Sequence, residues 1–173
     1  MTSQLLTCYV VAMVKRPPSL RRDLRQSRPL ASSAQEAALS LVRTVDHVRR
    51  AAARVVEPHG ITLQQFNVLR ILRGAGEAGL PTLEVAERMV EQTPGVTRLL
   101  DRLEAKGCIR RERCRQDRRQ HLCWLTPAGG RLLDQIDGPM LAAHDESLRA
   151  LNNTDRRRLM ALLARIREPD HPA

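Results

Sequence analysis

A chain of 173 residues with 42% hydrophobic and 28% charged residues is long enough for one domain with a usable core and too apolar for global disorder. Its four cysteines (Cys8, Cys108, Cys114, Cys123) exclude a secreted disulfide scaffold, and no apolar run reaches the roughly 20 residues of a membrane span. The formal charge is +10 and the only aromatics are Tyr9, Phe66 and Trp124, so the core must be aliphatic and the placement of the charge becomes the informative quantity.

Residues 1–32 carry six Lys/Arg against one Asp, three prolines (Pro17, Pro18, Pro29) and no clean period, and are expected to form a disordered basic tail. Two readings fit it. Translation starts at Met13, or the tail is a basic arm that adds backbone or minor-groove contacts to DNA. In the apolar run 5–14 the basic residues Lys15 and Arg16 follow rather than precede, unlike a secretory signal, and the protein is expected to be cytoplasmic.

Ser33 and Glu36 read as a capping box opening a helix to about Glu57, with Leu39, Val42, Val45, Val48, Ala52 and Val55 at helical spacing. Thr62 and Gln65 form a second box before a helix that carries Phe66, Val68, Leu69 and Leu72 and ends at Gly74. The stretch GAGEAGLP reads as a loop. Thr82 is expected to cap a short helix with Leu83, Val85, Ala86 and Met89, and Thr93 to cap the next, with Pro94 at its first position.

In that helix Val96, Leu99, Leu100 and Leu103 form one apolar stripe, leaving Thr97, Arg98, Asp101 and Arg102 outside and Gly95 near the start. Gly107 reads as its stop. A hairpin follows: Cys108 to about Cys114, a tip RQDRRQ, then His121–Leu125 with His121, Cys123 and Leu125 on one face and Leu122 and Trp124 on the other. Trp124 is expected to be exposed. Thr126-Pro127 opens a long helix to about Ala150, with a kink predicted near Gly138-Pro139, and Asn152 with Asp155 opens a last helix carrying Leu159, Leu162, Leu163 and Ile166.

Charge concentrates on the same segment. Residues 33–97 and 120–173 each balance seven acids with seven bases, whereas 98–119 hold nine Lys/Arg against four Asp/Glu. A capped helix followed by a basic hairpin is what a winged helix-turn-helix needs to fill a major groove and hold the flanking backbone.

The run TPGVTRLLDRLEAKG together with DRRQHLCWLT resembles the MarR family of bacterial transcription regulators, whose wing signature is D-x-R-x-x-x-v-x-L-T. Asp117, Arg119, Leu125 and Thr126 match it, with Cys123 at the small apolar position, and the resemblance covers about 34–168. It implies a mainly α fold with a small β-hairpin wing: a winged helix-turn-helix core at about 61–126 within a domain 33–168, flanked by dimerisation helices at about 34–57 and 127–168. It implies that Thr93, Gly95, Thr97, Arg98 and Arg102 lie nearest the DNA, with Arg118 and Arg119 reaching it from the wing and Asp117 orienting the wing's basic side chains. The expected partners are double-stranded DNA, a second copy of the chain and a small-molecule effector, by family analogy often a lipophilic anion; no cofactor and no membrane are expected. The turn Val90-Glu91-Gln92 departs from the Gly or Leu usual in the family, and His121 replaces an aliphatic residue.

Other readings compete. Cys108, Cys114, His121 and Cys123 lie close together, but the spacing C-x5-C-x6-H-x-C lacks a zinc knuckle, and small buried hydrophobes fit Cys108 and Cys123 better. Cys114 among Arg111, Arg113 and Arg115 would suit a redox-responsive regulator. The family's hydroperoxide-sensing branch carries its cysteine near the first helix, where only Cys8 in the tail is available. Asp101 reads as an ion partner of Arg98 and Arg102, and Arg156–Arg158 as a solvated or dimer-rim face. No H-E-x-x-H, P-loop or G-x-S-x-G is present, and no enzyme activity is expected. The expected function is a ligand-responsive repressor that binds a pseudo-palindromic operator as a homodimer; the alternative is a winged-helix protein-interaction module with only nonspecific DNA binding.

Overall fold

The computed structural model describes residues 20, 24, 25, 27, 30–91, 95–114 and 120–168. Among these residues six α-helices and three short strands follow in the order α1 (Ser33–Val56), α2 (Leu63–Ala75), β1 (Leu80–Pro81), α3 (Thr82–Glu87), α4 (Val96–Ala105), β2 (Ile109–Arg113), β3 (His121–Leu125), α5 (Pro127–Ser147) and α6 (Asn153–Arg167). The mainly helical fold with a small wing sheet is as expected. The chain divides into two compact units between His47 and Val48, a boundary that falls within α1. Among the described residues no helix is long and apolar enough to cross a membrane.

The first unit contains the N-terminal part of α1. Its cap sits one residue earlier than the sequence suggests. Ser32, not Ser33, accepts the Gln35 N–H at 3.1 Å, and the Gln35 side chain accepts the Ala31 N–H at 2.7 Å. Two adjacent serines each have Glu or Gln three residues on, so spacing alone cannot choose between them. Val42 and Val45, on the predicted apolar face, are exposed.

The second unit holds the core. Val56 and Ile61 meet Phe66, Val68, Leu69 and Leu72 of α2, and Leu133, Ile136 and Met140 of α5 complete it with Leu100 and Leu103 of α4. These apolar residues recur at one-turn spacing, so each helix buries one stripe. The Thr62–Gln65 box forms with both hydrogen bonds present, and α2 runs one residue past Gly74. Asn152 caps α6 by accepting the N–H groups of Thr154 and Asp155.

A three-stranded antiparallel sheet, ordered β1-β3-β2, replaces the expected two-stranded hairpin. Leu80 lies opposite Cys123, and Arg111 opposite Cys123 on the other side. Period-two alternation therefore turns Leu80, Ile109, Arg111, Cys123 and Leu125 to one face and Arg110, Leu122 and Trp124 to the other. A two-residue strand containing Pro81 carries no readable period, which is why GAGEAGLP reads as a loop. The pairing also releases Thr82 from its expected capping role: α3 has Pro81 at its N-cap without a side-chain bond, and the Thr82 hydroxyl donates to the His121 carbonyl at 3.3 Å instead.

Candidate nucleic-acid interface

Helix α4 is fastened by its apolar stripe. Val96, Leu100 and Leu103 are buried and Leu99 packs against the core, so Thr97, Arg98, Asp101 and Arg102 are left exposed on the opposite side, as their spacing predicts. The helix starts later than expected. Gly95 is the N-cap residue, with φ 87°, and Val96 is the first helical residue. The predicted cap Thr93 and the N1 residue Pro94 lie outside the described residues, as do Asp117, Arg118, Arg119, Arg115 and Cys8. The C-terminal stop is as expected: Cys108 N–H bonds Leu103 O at 3.0 Å and Gly107 N–H bonds Glu104 O at 2.8 Å, the two bonds of a Schellman motif.

Three side-chain contacts hold α4 against its neighbours, and spacing did not foretell them. The first joins it to the wing. Arg111 on β2 donates from its backbone N–H to Glu104 Oε1 at 3.1 Å, from Nε to Glu104 Oε2 at 2.9 Å, and from Nη2 to Glu104 Oε2 at 2.6 Å and Asp101 Oδ1 at 2.5 Å. Burial opposes the Arg111 charge, but hydrogen bonds to Glu104 and Asp101 outweigh that and raise its pKa further. Asp101 therefore reaches across to Arg111 rather than serving as the expected partner of Arg98 and Arg102.

The second contact fixes the turn that leads into α4. Val90 N–H donates to Asn67 Oδ1 at 2.9 Å, and Glu91 Oε1 lies 3.0 Å from Arg49 Nη1. The third ties the end of α4 to α5. Thr126 Oγ1 donates to Gly107 O at 2.7 Å and accepts the Gly129 N–H at 3.1 Å, capping α5 with the same hydroxyl.

Trp124 corrects another expectation. It is half-buried, not exposed: its Nε1–H donates to Glu77 O at 3.0 Å and the Arg110 guanidinium stacks 4.0 Å from its ring. The ring lies on Gly79, where an added Cβ would come 2.6 Å from Cε2 and where φ is +66°. Only glycine satisfies both conditions.

The cysteines separate by burial. Cys108 and Cys123 are buried, and desolvation raises both thiol pKa values, as expected of small hydrophobes. Cys114 is half-buried and its N–H donates to Gln120 O at 2.9 Å at the base of the wing tip. Of the arginines read as its neighbours, Arg111 is committed to Glu104 and Asp101. Among the described residues no three His, Cys, Asp or Glu side chains gather as a metal site.

The MarR-family sequence profile matches residues 59–120, which include α2 to β2. A crystal structure of a MarR transcription factor from Planctomyces limnophilus is 33% identical, with 79% of this chain and 98% of that one covered at a TM-score of 0.63. The chain belongs to the MarR family. As a MarR-family protein it is a winged helix-turn-helix transcription regulator and not an enzyme. The HTH-type transcriptional regulator TtmR of Methylorubrum extorquens is 34% identical over 122 residues; the match covers 70% of this chain and 60% of TtmR. Bordetella bronchiseptica BpsR, whose DNA binding is regulated by 6-hydroxynicotinic acid, shares the fold at a TM-score of 0.69 and 22% identity, with 76% of this chain and 98% of BpsR covered.

Proposed function

We propose that this MarR-family regulator binds a pseudo-palindromic operator as a homodimer, represses transcription from the cytoplasm, and is released by a small lipophilic anion. The observation that carries the DNA reading is the outward face of α4. Arg98 and Arg102 stand exposed one turn apart, on the side away from Leu100 and Leu103. At that spacing both guanidinium groups can reach one stretch of major groove, pairing with guanine edges or phosphates. Thr93, Gly95 and Thr97 would adjoin them. Arg118 and Arg119 would track the flanking backbone or minor groove, and Asp117 would orient the basic side chains of the wing.

The dimer reading is supported by apolar side chains left in solvent on the terminal helices: Val42 and Val45 on α1, and Met160, Leu162 and Ile166 on α6. A twofold partner would bury them. The effector reading is supported by a cavity of about 210 Å³ between the C-terminal part of α1, α2, the turn before α4, and α5. Ala52, Phe66, Met89 and Met140 give it apolar walls, and Arg49, Arg70 and His144 stand on its lining. An apolar cavity of about 150 Å³ can take up benzene; this one suits a single substituted ring, and the guanidinium groups of Arg49 and Arg70 favour an acid. The aromatic acid that regulates BpsR is of this class.

Selection of genomic fragments with the purified protein, at stated salt, tests the reading. One enriched pseudo-palindromic motif is expected, with half-sites about 10 base pairs apart. Arg98→Ala should cost roughly 1–3 kcal/mol on that motif and relax its base preference. No enriched motif, or equal weakening on every sequence, would leave only a nonspecific DNA binder.

A further inference from the structure

The wall of the 210 Å³ cavity nearest the helix-turn-helix is the turn itself. Met89, Val90 and Glu91 line it, and so do the two residues that hold them, Asn67 and Arg49. One guanidinium thus serves two surfaces. Arg49 lines the cavity and, 3.0 Å away, neutralises Glu91 on the turn that leads into α4. A carboxylate entering beside Arg49 meets a cation already paired. Two carboxylates sharing one guanidinium repel each other, and the repulsion grows as the ligand's apolar body displaces water from between them.

We infer that an anionic ligand exchanges with Glu91 on Arg49, and that the turn Met89–Glu91 loses its contact with Arg49 on exchange and carries cavity occupancy to α4. This rests on the effector reading of the cavity. Arg49 and Glu91 are positioning residues: neither needs to touch DNA. The exchange has the thermodynamic form a switch requires, because the ligand prefers the state in which Glu91 has left, and DNA binding prefers the state in which the turn is anchored. The pair is nearly half exposed on both sides, so its energy is small and the response graded rather than all-or-none.

The test compares full-length wild type, Glu91→Gln and Arg49→Gln. Each is titrated with benzoate and with benzamide, its uncharged counterpart, by calorimetry. Amide exchange of peptides covering 86–91 and affinity for the selected duplex are followed in parallel. Benzoate, and not benzamide, should bind wild type, speed exchange at Val90 and weaken DNA binding. It should bind Glu91→Gln about two- to fivefold tighter, the scale of an exposed ion pair, and bind Arg49→Gln more weakly than wild type. In Glu91→Gln, Val90 should exchange fast without ligand, and the benzoate effect on DNA affinity should shrink. Equal benzoate affinity in wild type and Glu91→Gln, unchanged Val90 exchange, or equal binding of benzamide would overturn the exchange while leaving the cavity as a ligand site. Failure of all three proteins to bind either compound would remove the effector reading, and the exchange with it.

Discussion

Cys108 and Cys123 show how much one residue's chemistry depends on its burial. Both lie near a hairpin rich in arginine, and sequence alone admits a thiolate there. In the fold Cys123 is wholly buried, and burial raises its pKa although the Thr82 hydroxyl and Arg111 act to lower it. A thiol whose folded pKa lies above its ordinary value of 9.0 adds stability below about pH 9 and loses it as pH rises through the folded value. The urea midpoint should therefore fall above pH 9, and less steeply in a Cys108→Ala, Cys123→Ala double variant compared with itself at neutral pH. An identical alkaline slope in both proteins would remove the thiols from the account. Cys114, less buried, should be the first of these three to react with a thiol reagent in the native state.

Among the elements, the joint between α4 and the wing is the most consequential. Helix α4 could be read from its stripe and its stop, and β2 and β3 from alternation. Their mutual orientation depends on Arg111, which alternation separates from Arg110 but not from Arg113 on the same face. Those two turn to solvent or onto Trp124, while Arg111 faces Glu104 because the register opposite Cys123 points it inward. Arg111→Ala should cost roughly 1–2 kcal/mol in urea denaturation, since several charge-assisted hydrogen bonds are lost together. It should also weaken operator binding, because Asp101 and Glu104 are left as unpaired anions beside Arg98 and Arg102, the proposed DNA contacts. Arg111→Lys should recover only part, lacking the fork that reaches both carboxylates. Operator affinity unaffected by Arg111→Ala would reduce the joint to a stability feature.

At the scale of the whole molecule, the apolar side chains left in solvent carry the prediction. Leu162 and Ile166 lie one turn apart on α6 and are each more than half exposed. Isolated exposed hydrophobes are ordinary, but a neighbouring pair on a terminal helix supports the proposed dimer interface. Sedimentation should give a dimer. Leu162→Glu with Ile166→Glu should give a monomer of unchanged helix content that binds a half-site weakly and the full operator without cooperativity. A variant that remains dimeric and binds as wild type would move the interface elsewhere.

The sequence by itself determined which segments are helices, where α2, α5 and α6 begin, where α4 stops, and which side of α4 is free to face a ligand. Those features are local: periodicity, caps and a glycine stop act within a few residues. Tertiary structure decided what depends on partners distant in the chain. It paired Leu80–Pro81 with β3, freed Thr82 from capping, covered Trp124 with Arg110 and Gly79, took Asp101 to Arg111, and set Arg49 against Glu91. Each of those contacts joins residues that spacing cannot relate, because a hydrogen bond or ion pair across the fold leaves no period in the chain.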